Sequence, residues 1–190
     1  EQRAAPPAAE GAEAGAAGIE VGEQVYATNC VACHQANGQG LAGVFPPLSG
    51  HAADLYRADG GREYLLKVVL FGLMGAIEVD GATYNGVMPA WAQLSDDQIA
   101  SVLNYVLASW DNAGEVEEEL PYAAADVAAV RAEPLSPQQV HELRGQLELV
   151  AGAVLYDGIS GRVWCRLPAE PVFQQIARRI RQLLQTRLGI

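Results

Sequence analysis

The stretch NCVACHQANGQG, residues 29–40, contains the most informative pattern in this chain. It holds two of the three cysteines, Cys30 and Cys33, and the histidine His34 directly follows the second. Three kinds of site use cysteines at this spacing: a metal knuckle, a redox-active dithiol and a covalently attached haem.

The rest of the sequence favours one of these three sites. A structural zinc site needs four ligands, but Cys165 and the two other histidines form no second ligand pair. A thioredoxin-like dithiol should follow a buried strand, whereas Val21, Val25 and Tyr26 before the motif have helical spacing. Cys-x-x-Cys-His is therefore interpreted as a haem attachment motif, in which two thiols bond the vinyl groups and His34 reaches the iron.

An iron held in this way needs a second axial ligand, unless an open position serves catalysis or gas binding. Of the two methionines, Met74 ends an apolar helical run, where a core-filling role is expected. Met88 lies between Gly86 and Pro89, which predict a loop and leave the methionine no packing role. Its soft thioether suits iron, so Met88 is the better candidate.

These motifs together resemble a known family, the class I cytochromes c. CVACH, GVFPPLSGH and YNGVMPAW occur in the order found in that family. The similarity covers roughly residues 20–147 and is greatest to soluble bacterial cytochromes c that give electrons to a terminal oxidase. The resemblance implies an all-α, class I cytochrome c fold with a small β-hairpin and a mainly helical C-terminal extension.

The resemblance also implies roles for individual residues. Cys30 and Cys33 would attach one haem c through two thioethers, and His34 and Met88 would be the proximal and distal iron ligands. The carbonyl of Pro46 would accept the Nδ1 hydrogen of His34, which orients the imidazole and strengthens it as a donor.

Four further side chains are candidates for a role at the site or at the surface. Tyr84 and Trp91 flank the Met88 loop, where bonding to a haem propionate and simple packing are both open. His51 follows LSG at a predicted helix start, so a solvent-facing or capping role is expected rather than ligation. His141 lies on a polar helix face and is expected at the surface.

Local patterns predict the elements around the motifs. Ser95 is a candidate N-cap for a helix whose apolar face runs from Ile99 to Trp110. A helix over residues 62–73 is apolar nearly all round, as a helix buried on two sides should be. Asp80 and Gly81 predict the tight turn of a short hairpin.

Charge and hydropathy limit the partners. The net charge is −11, and residues 18–123 hold 3 lysine and arginine residues against 14 aspartates and glutamates, which argues against nucleic acid. No apolar run reaches the ~18 residues that a membrane span needs. Docking to a partner is expected to use an apolar patch, with electrostatics secondary. Its candidate residues are Val31, Ala32, Leu41 and Val87.

The predicted function is that of an electron carrier, not an enzyme, since the protein supplies ligands and the haem supplies the redox chemistry. The resemblance implies a respiratory chain, with a quinol-oxidising complex as donor and a terminal oxidase as acceptor. It also implies an extracytoplasmic location, in the periplasm or on the outer face of the cytoplasmic membrane. The alternatives are a cytochrome subunit docked on a larger oxidoreductase and a haem enzyme or gas sensor with an open distal site.

Four segments are predicted. Residues 1–18 have the composition of a flexible Ala/Pro/Gly linker, either a frayed terminus or a membrane tether through a removed N-terminal segment. Residues 19–123 form the haem-binding domain, and residues 124–150 a helical extension that clasps it. Residues 151–190 read as a hairpin and an amphipathic basic helix of unknown role, with Cys165 an unpaired buried thiol.

Overall fold

The computed structural model of the protein describes residues 7–116 and 121–147, with side chains from residue 18 onward. The chain divides into the units 1–149 and 150–190. The predictions for residues 151–190, including Cys165, lie outside the described residues. None of the described helices is long and apolar enough to cross a membrane.

The described part is mainly helical. Its helices are α1 (Pro7–Asn29), α2 (Val31–His34), α3 (His51–Arg57), α4 (Gly61–Phe71), α5 (Asp96–Ala108), α6 (Ala124–Arg131) and α7 (Pro137–Arg144), with a 3-10 turn at Trp110–Asn112. Two antiparallel pairs join β1 (Leu73–Met74) to β4 (Val87–Met88) and β2 (Ile77–Val79) to β3 (Ala82–Tyr84). The predicted all-α class with a small hairpin is confirmed.

Helix α1 begins earlier than the sequence analysis predicts. Its backbone is helical from Pro7, inside the segment 1–18 that is predicted to be a flexible linker. The difference has a physical reason, because alanine has the highest helix propensity and proline is compatible with the first helical position. The other segment boundaries stay predictions.

Helices α1 and α5 cross at a very short distance. A Cβ at Gly22 would overlap the carbonyl oxygen of Ser101, so only glycine allows this approach. Val25 and Tyr26 are buried in the contact, while Val21 is exposed. The predicted start of α5 is confirmed by a capping box between Ser95 and Gln98.

The hairpin and the second strand pair lie beyond the C-terminal end of α4. Asp80 and Gly81 have φ of 52° and 77°, as a type I′ turn requires. Leu73 pairs with Met88. Gly72, at φ 79°, follows the last residue of α4, and its backbone lies very close to that of Met88. A Cβ at Gly72 would lie 2.6 Å from the Met88 carbonyl oxygen. The end of α4 therefore fixes the backbone at Met88.

The C-terminal segment packs on α4 and α5. Asn104 of α5 bonds both the amide and the carbonyl of Tyr122, each at 2.9 Å. Val127 of α6 and Val140 of α7 are fully buried. Arg131 donates to the carbonyls of residues 92 and 94 and pairs with Asp96 at 2.8 Å. This packing supports the predicted clasp.

Candidate functional site

The two motif cysteines lie in a tight turn where α1 ends. The amide of His34 donates to the carbonyl of Cys30 at 2.9 Å, which folds the motif into the short helix α2. Both thiols are free and half-buried. Burial raises the pKa of Cys30 to about 11, and the nearby Cys33 adds to the rise. A reactive dithiol needs the opposite shift, so this result argues against the redox-dithiol alternative.

The metal-knuckle alternative also lacks support. In residues 7–116 and 121–147 there is no group of three or more His, Cys, Asp or Glu side chains placed to hold a metal ion. Two thiolates and one imidazole would leave a structural zinc ion one ligand short.

One ring nitrogen of His34, Nδ1, is engaged in a hydrogen bond to the backbone. Its Nδ1 lies 3.2 Å from the carbonyl oxygen of Pro46, and the imidazole is buried. Burial lowers the pKa of His34, opposed by the hydrogen bond to Pro46. We therefore assign the neutral tautomer in which Nδ1–H donates to Pro46. The lone pair of Nε2 is then available to a metal.

The backbone around Pro46 is tightly folded. The amide of Gly40 donates to the carbonyl of His34 at 3.0 Å, and Leu41 and Phe45 form an isolated antiparallel bridge. Gly40 has φ of 65°, and a Cβ there would overlap the carbonyl oxygen of Phe45 and crowd that of Pro46. Only a glycine at this position lets the loop return close enough for Pro46 to meet His34.

All of the predicted site residues line one apolar cleft. Its empty volume is about 930 Å³, part of which is open to solvent. A second apolar compartment, of about 650 Å³, shares Cys30, His34 and Met88 with the lining of the first. The predicted residues in the cleft are Cys30, Cys33, His34, Pro46, Tyr84, Met88 and Trp91.

Met88 and Trp91 reach the cleft from a segment that backbone contacts hold in place. Strand β4 positions Met88 opposite Leu73, and the amide of Trp91 donates to the carbonyl of Val69 at 2.9 Å. Tyr84, at the end of β3, borders the cleft with a half-buried side chain.

Three side chains differ from their predicted surroundings. Met74 is 41% exposed and its sulfur accepts from Gln138 at 3.1 Å, so it fills no core gap, because the chain turns into β1 before it. His51 is 8% exposed and faces the cleft rather than solvent, and it makes no capping bond. His141 is half-buried and bonds the carbonyl of Ala76 at 2.7 Å, because α7 packs on the strand segment.

Two polar cleft residues were missed by the sequence analysis. Arg144 in the last turn of α7 is buried, and its Nη2 lies 3.0 Å from Nε2 of His51. The hydroxyl of Tyr64 is buried and has no hydrogen-bond partner among the described residues. One signal was available for Arg144, which follows the buried Val140 by four residues and so lies on the same helix face.

The comparisons with known proteins agree with the site. The family model Cytochrome c matches residues 19–110. Cytochrome c-552 of Thermus thermophilus is 50% identical over 128 residues, which cover 67% of this chain and 97% of that protein. The gluconate 2-dehydrogenase cytochrome c subunit of Pantoea cypripedii is 32% identical over 114 residues, 59% of this chain and 24% of that subunit. Cytochrome c6 of Cyanidium caldarium is 31% identical over 95 residues, 50% of this chain and 74% of that protein.

The residues present fit haem c. An apolar cleft suits the macrocycle, two thiols suit its vinyl groups, and imidazole and thioether suit its iron. A buried guanidinium and an unsatisfied hydroxyl beside the cleft suit its carboxylates. From the relatives and the site together, the chain belongs to the cytochrome c family, as a class I member that carries covalently bound haem c and transfers electrons.

Proposed function

We propose that this protein shuttles single electrons with haem c attached through Cys30 and Cys33 and ligated by His34 and Met88. The observation that carries the proposal is that a neutral imidazole and a thioether line the same apolar cleft from two separate elements. The haem, when bound, supplies the reversible ferric/ferrous couple.

The chain's contribution is to hold both ligands still. Pro46 orients His34 through Nδ1, and the pairing with Leu73 together with the close approach of Gly72 fixes the backbone of Met88. Fixed ligands keep the geometry alike in the two oxidation states, so little reorganisation accompanies each transfer. The thioether ligand and the apolar lining raise the reduction potential.

Apolar side chains at the mouth of the cleft support docking to redox proteins. Leu41 is 52% exposed and Val87 is 55% exposed, and Val44 beside them is exposed as well. The loop that holds Leu41 and Val44 adjoins the segment before Val87, since a Cβ at Gly86 would overlap the carbonyl oxygen of Val44. We call Leu41, Val44 and Val87 the apolar rim. Ala32 of the predicted patch is also exposed, while Val31 is half-buried.

The rim is the better docking surface because the nearby cations are already engaged. Arg57, Arg62 and Lys67 each pair with a carboxylate. No unpaired basic side chain is therefore left on residues 18–116 to attract an acidic partner by charge. Association through an apolar rim should depend little on ionic strength.

We place the protein in a respiratory chain on the extracytoplasmic side, between a quinol-oxidising complex and a terminal oxidase. The resemblance to soluble oxidase donors supports this placement. The test is stopped-flow oxidation of the ferrous protein by a purified terminal oxidase. Rapid, saturable oxidation that varies little with salt is expected. Oxidation no faster than that of an unrelated acidic cytochrome would contradict it.

A second candidate is a subunit held on a larger oxidoreductase. It is favoured by the similarity to the cytochrome c subunits of gluconate 2-dehydrogenase and of the quinone alcohol dehydrogenase of Gluconobacter oxydans, which is 33% identical over 93 residues. Gel filtration distinguishes the two. A shuttling carrier elutes alone from a mixture with a candidate dehydrogenase, whereas a resident subunit co-elutes with it.

A further inference from the structure

The two methionines of the chain, Met74 and Met88, lie in very different surroundings. Met88 is half-buried and lines the apolar cleft, where its sulfur is the proposed iron ligand. Met74 does not line that cleft and is 41% exposed, so an oxidant dissolved in water has access to its thioether. One thioether is therefore covered by the site, and the other is open to chemical modification.

Met74 is the cross-strand neighbour of a residue of the apolar rim. In the β1–β4 pair it lies directly opposite Val87, which is 55% exposed. Residues directly opposite each other in an antiparallel pair have their side chains on the same face, with Cβ atoms about 5 Å apart. The next pair along, Leu73 and Met88, lies on the other face, and both residues line the cleft. The thioether of Met74 therefore extends the apolar rim at Val87.

A side-chain amide already lies at the sulfur of Met74. Nε2 of Gln138, in the first turn of α7, donates to this sulfur at 3.1 Å, and both side chains are exposed. A thioether sulfur is only a weak hydrogen-bond acceptor, whereas the oxygen of a sulfoxide is polar and accepts more strongly. Gln138 can therefore donate to the oxidised side chain as well, without any rearrangement of the helix. The folded protein thus holds a hydrogen-bond partner for methionine sulfoxide at this position.

We propose that Met74 is a reversible oxidation site that regulates docking on the apolar rim. The oxidant is a peroxide. The sulfur gives up two electrons and takes up one oxygen atom, while the O–O bond of hydrogen peroxide breaks and water is released. A thiol-dependent methionine sulfoxide reductase reverses the step, because two thiols are oxidised to a disulfide and the oxygen leaves as water. The inference rests on the proposed function, since it takes redox partners to dock on this rim.

Oxidation of Met74 should change the rim and leave the iron site as it is. The sulfoxide places a polar S=O group beside Val87, and a partner that covers the rim must then remove this group from water. The second-order rate of electron transfer to a terminal oxidase should fall on the order of fivefold, the effect of losing an apolar contact of about one methylene group. Met88 should stay unoxidised, so the far-red absorption band of methionine-ligated ferric haem should remain.

The test treats the full-length holoprotein with dilute hydrogen peroxide and follows both methionines by peptide mass spectrometry. Met74 should gain the mass of one oxygen atom before Met88 does. The rate with a purified terminal oxidase should fall over the same time course and recover after treatment with methionine sulfoxide reductase.

Met74→Leu is the matched variant, because leucine is apolar, close to methionine in volume and not oxidised by peroxide. It leaves the other oxidisable side chains in place, Cys165 among them. Each protein is compared with its own untreated sample. The rate of Met74→Leu should be the same before and after peroxide, whereas that of wild type should fall.

Retention on a phenyl hydrophobic-interaction column gives a second measurement, which needs no redox partner. Peroxide should shorten the retention of wild type but not that of Met74→Leu. Oxidation of Met88 before Met74 would overturn the inference, and so would equal losses of rate in wild type and Met74→Leu. Complete oxidation of Met74 with an unchanged rate would overturn it too. An untreated protein that the oxidase fails to oxidise overturns the respiratory placement instead, and the masses and the retention then decide whether Met74 is the oxidation site of the rim.

Discussion

Nδ1 of His34 lies 3.2 Å from the carbonyl oxygen of Pro46, a residue twelve positions later in the chain. This contact depends on a loop that turns back through Gly40, whose φ is 65°. The hydrogen bond sets which nitrogen of the imidazole is free to meet a metal, so a backbone conformation in the loop would control the proposed iron ligand.

Gly40→Ala should disturb this contact. Gly43 provides the matched control, since its φ of 74° carries the same backbone strain but its Cβ would meet no atom within 4 Å. Both substitutions force an alanine into a left-handed backbone conformation, which destabilises the folded protein. Gly40→Ala adds an overlap with the carbonyl oxygen of Phe45. We expect it to lower the free energy of unfolding by about 2 kcal/mol more than Gly43→Ala does. Guanidinium unfolding measures the difference, and equal losses would show that the loop accommodates a Cβ.

The crossing of α1 and α5 allows a similar comparison. Gly22→Ala places a methyl group against the carbonyl of Ser101, whereas Gly18 on the same helix has open space. Gly22→Ala should destabilise the protein by about 1–3 kcal/mol. Gly18→Ala should be neutral or stabilise it by up to ~1 kcal/mol, because alanine favours the helix. Thermal unfolding of the two variants checks this, and a Gly22→Ala variant as stable as wild type would contradict the close packing.

The lowered pKa of His51 predicts that the protein loses stability in acid. Burial, with the charge of Arg144 adding to the effect and Asp80 opposing it, lowers the pKa of His51 from 6.5 to about 4 in the folded protein. The unfolded chain therefore takes up the proton first. The stabilising contribution is complete above pH ~6.5 and is lost as the pH falls toward 4. It amounts to at most about 3 kcal/mol.

His51→Gln should remove this part of the pH dependence, since the glutamine oxygen accepts from Arg144 without titrating. Denaturant unfolding at pH 7 and pH 4.5 measures it. The stability lost between these pH values should be smaller in the variant than in wild type. The same loss in both would show that His51 does not carry it.

A substitution at Leu41 tests whether redox partners dock on the apolar rim. Leu41→Gln changes an exposed side chain outside the cleft lining, so haem attachment and potential should be unchanged. The second-order rate of electron transfer to a terminal oxidase should fall about tenfold, because a buried leucine contact contributes roughly 1.5 kcal/mol or more. Val21→Gln, an exposed valine on α1 away from the rim, is the control. Equal rates for both variants and wild type would place docking elsewhere.

Local signals were sufficient for much of the fold and for its motifs. The attachment motif lies within five residues, the Ser95 cap bonds a residue three positions away, and Asp80–Gly81 is a turn of two residues. Each feature depends on neighbours in sequence. The fold class and the cofactor could therefore be predicted before any contact was known.

The missed features depend on distant contacts. His51 and Arg144 are 93 residues apart, and neither has a local pattern that reveals their bond. The position of His51 at a helix start predicts exposure to water. It is covered instead by α7, which belongs to the C-terminal extension and is distant in sequence. Met74 follows an apolar helical run in the sequence, which predicts a core position, but the turn at Gly72 takes it out of α4.

The most direct test of the account is the far-red absorption band of the ferric protein, measured in wild type, Met88→Ala and Met74→Ala. Met74 is the matched control, since it is the other methionine of the chain and is exposed in β1. We predict the band in wild type and Met74→Ala and its loss in Met88→Ala, with haem still attached in all three. A band absent from wild type, or retained in Met88→Ala, would show that Met88 is not the distal ligand.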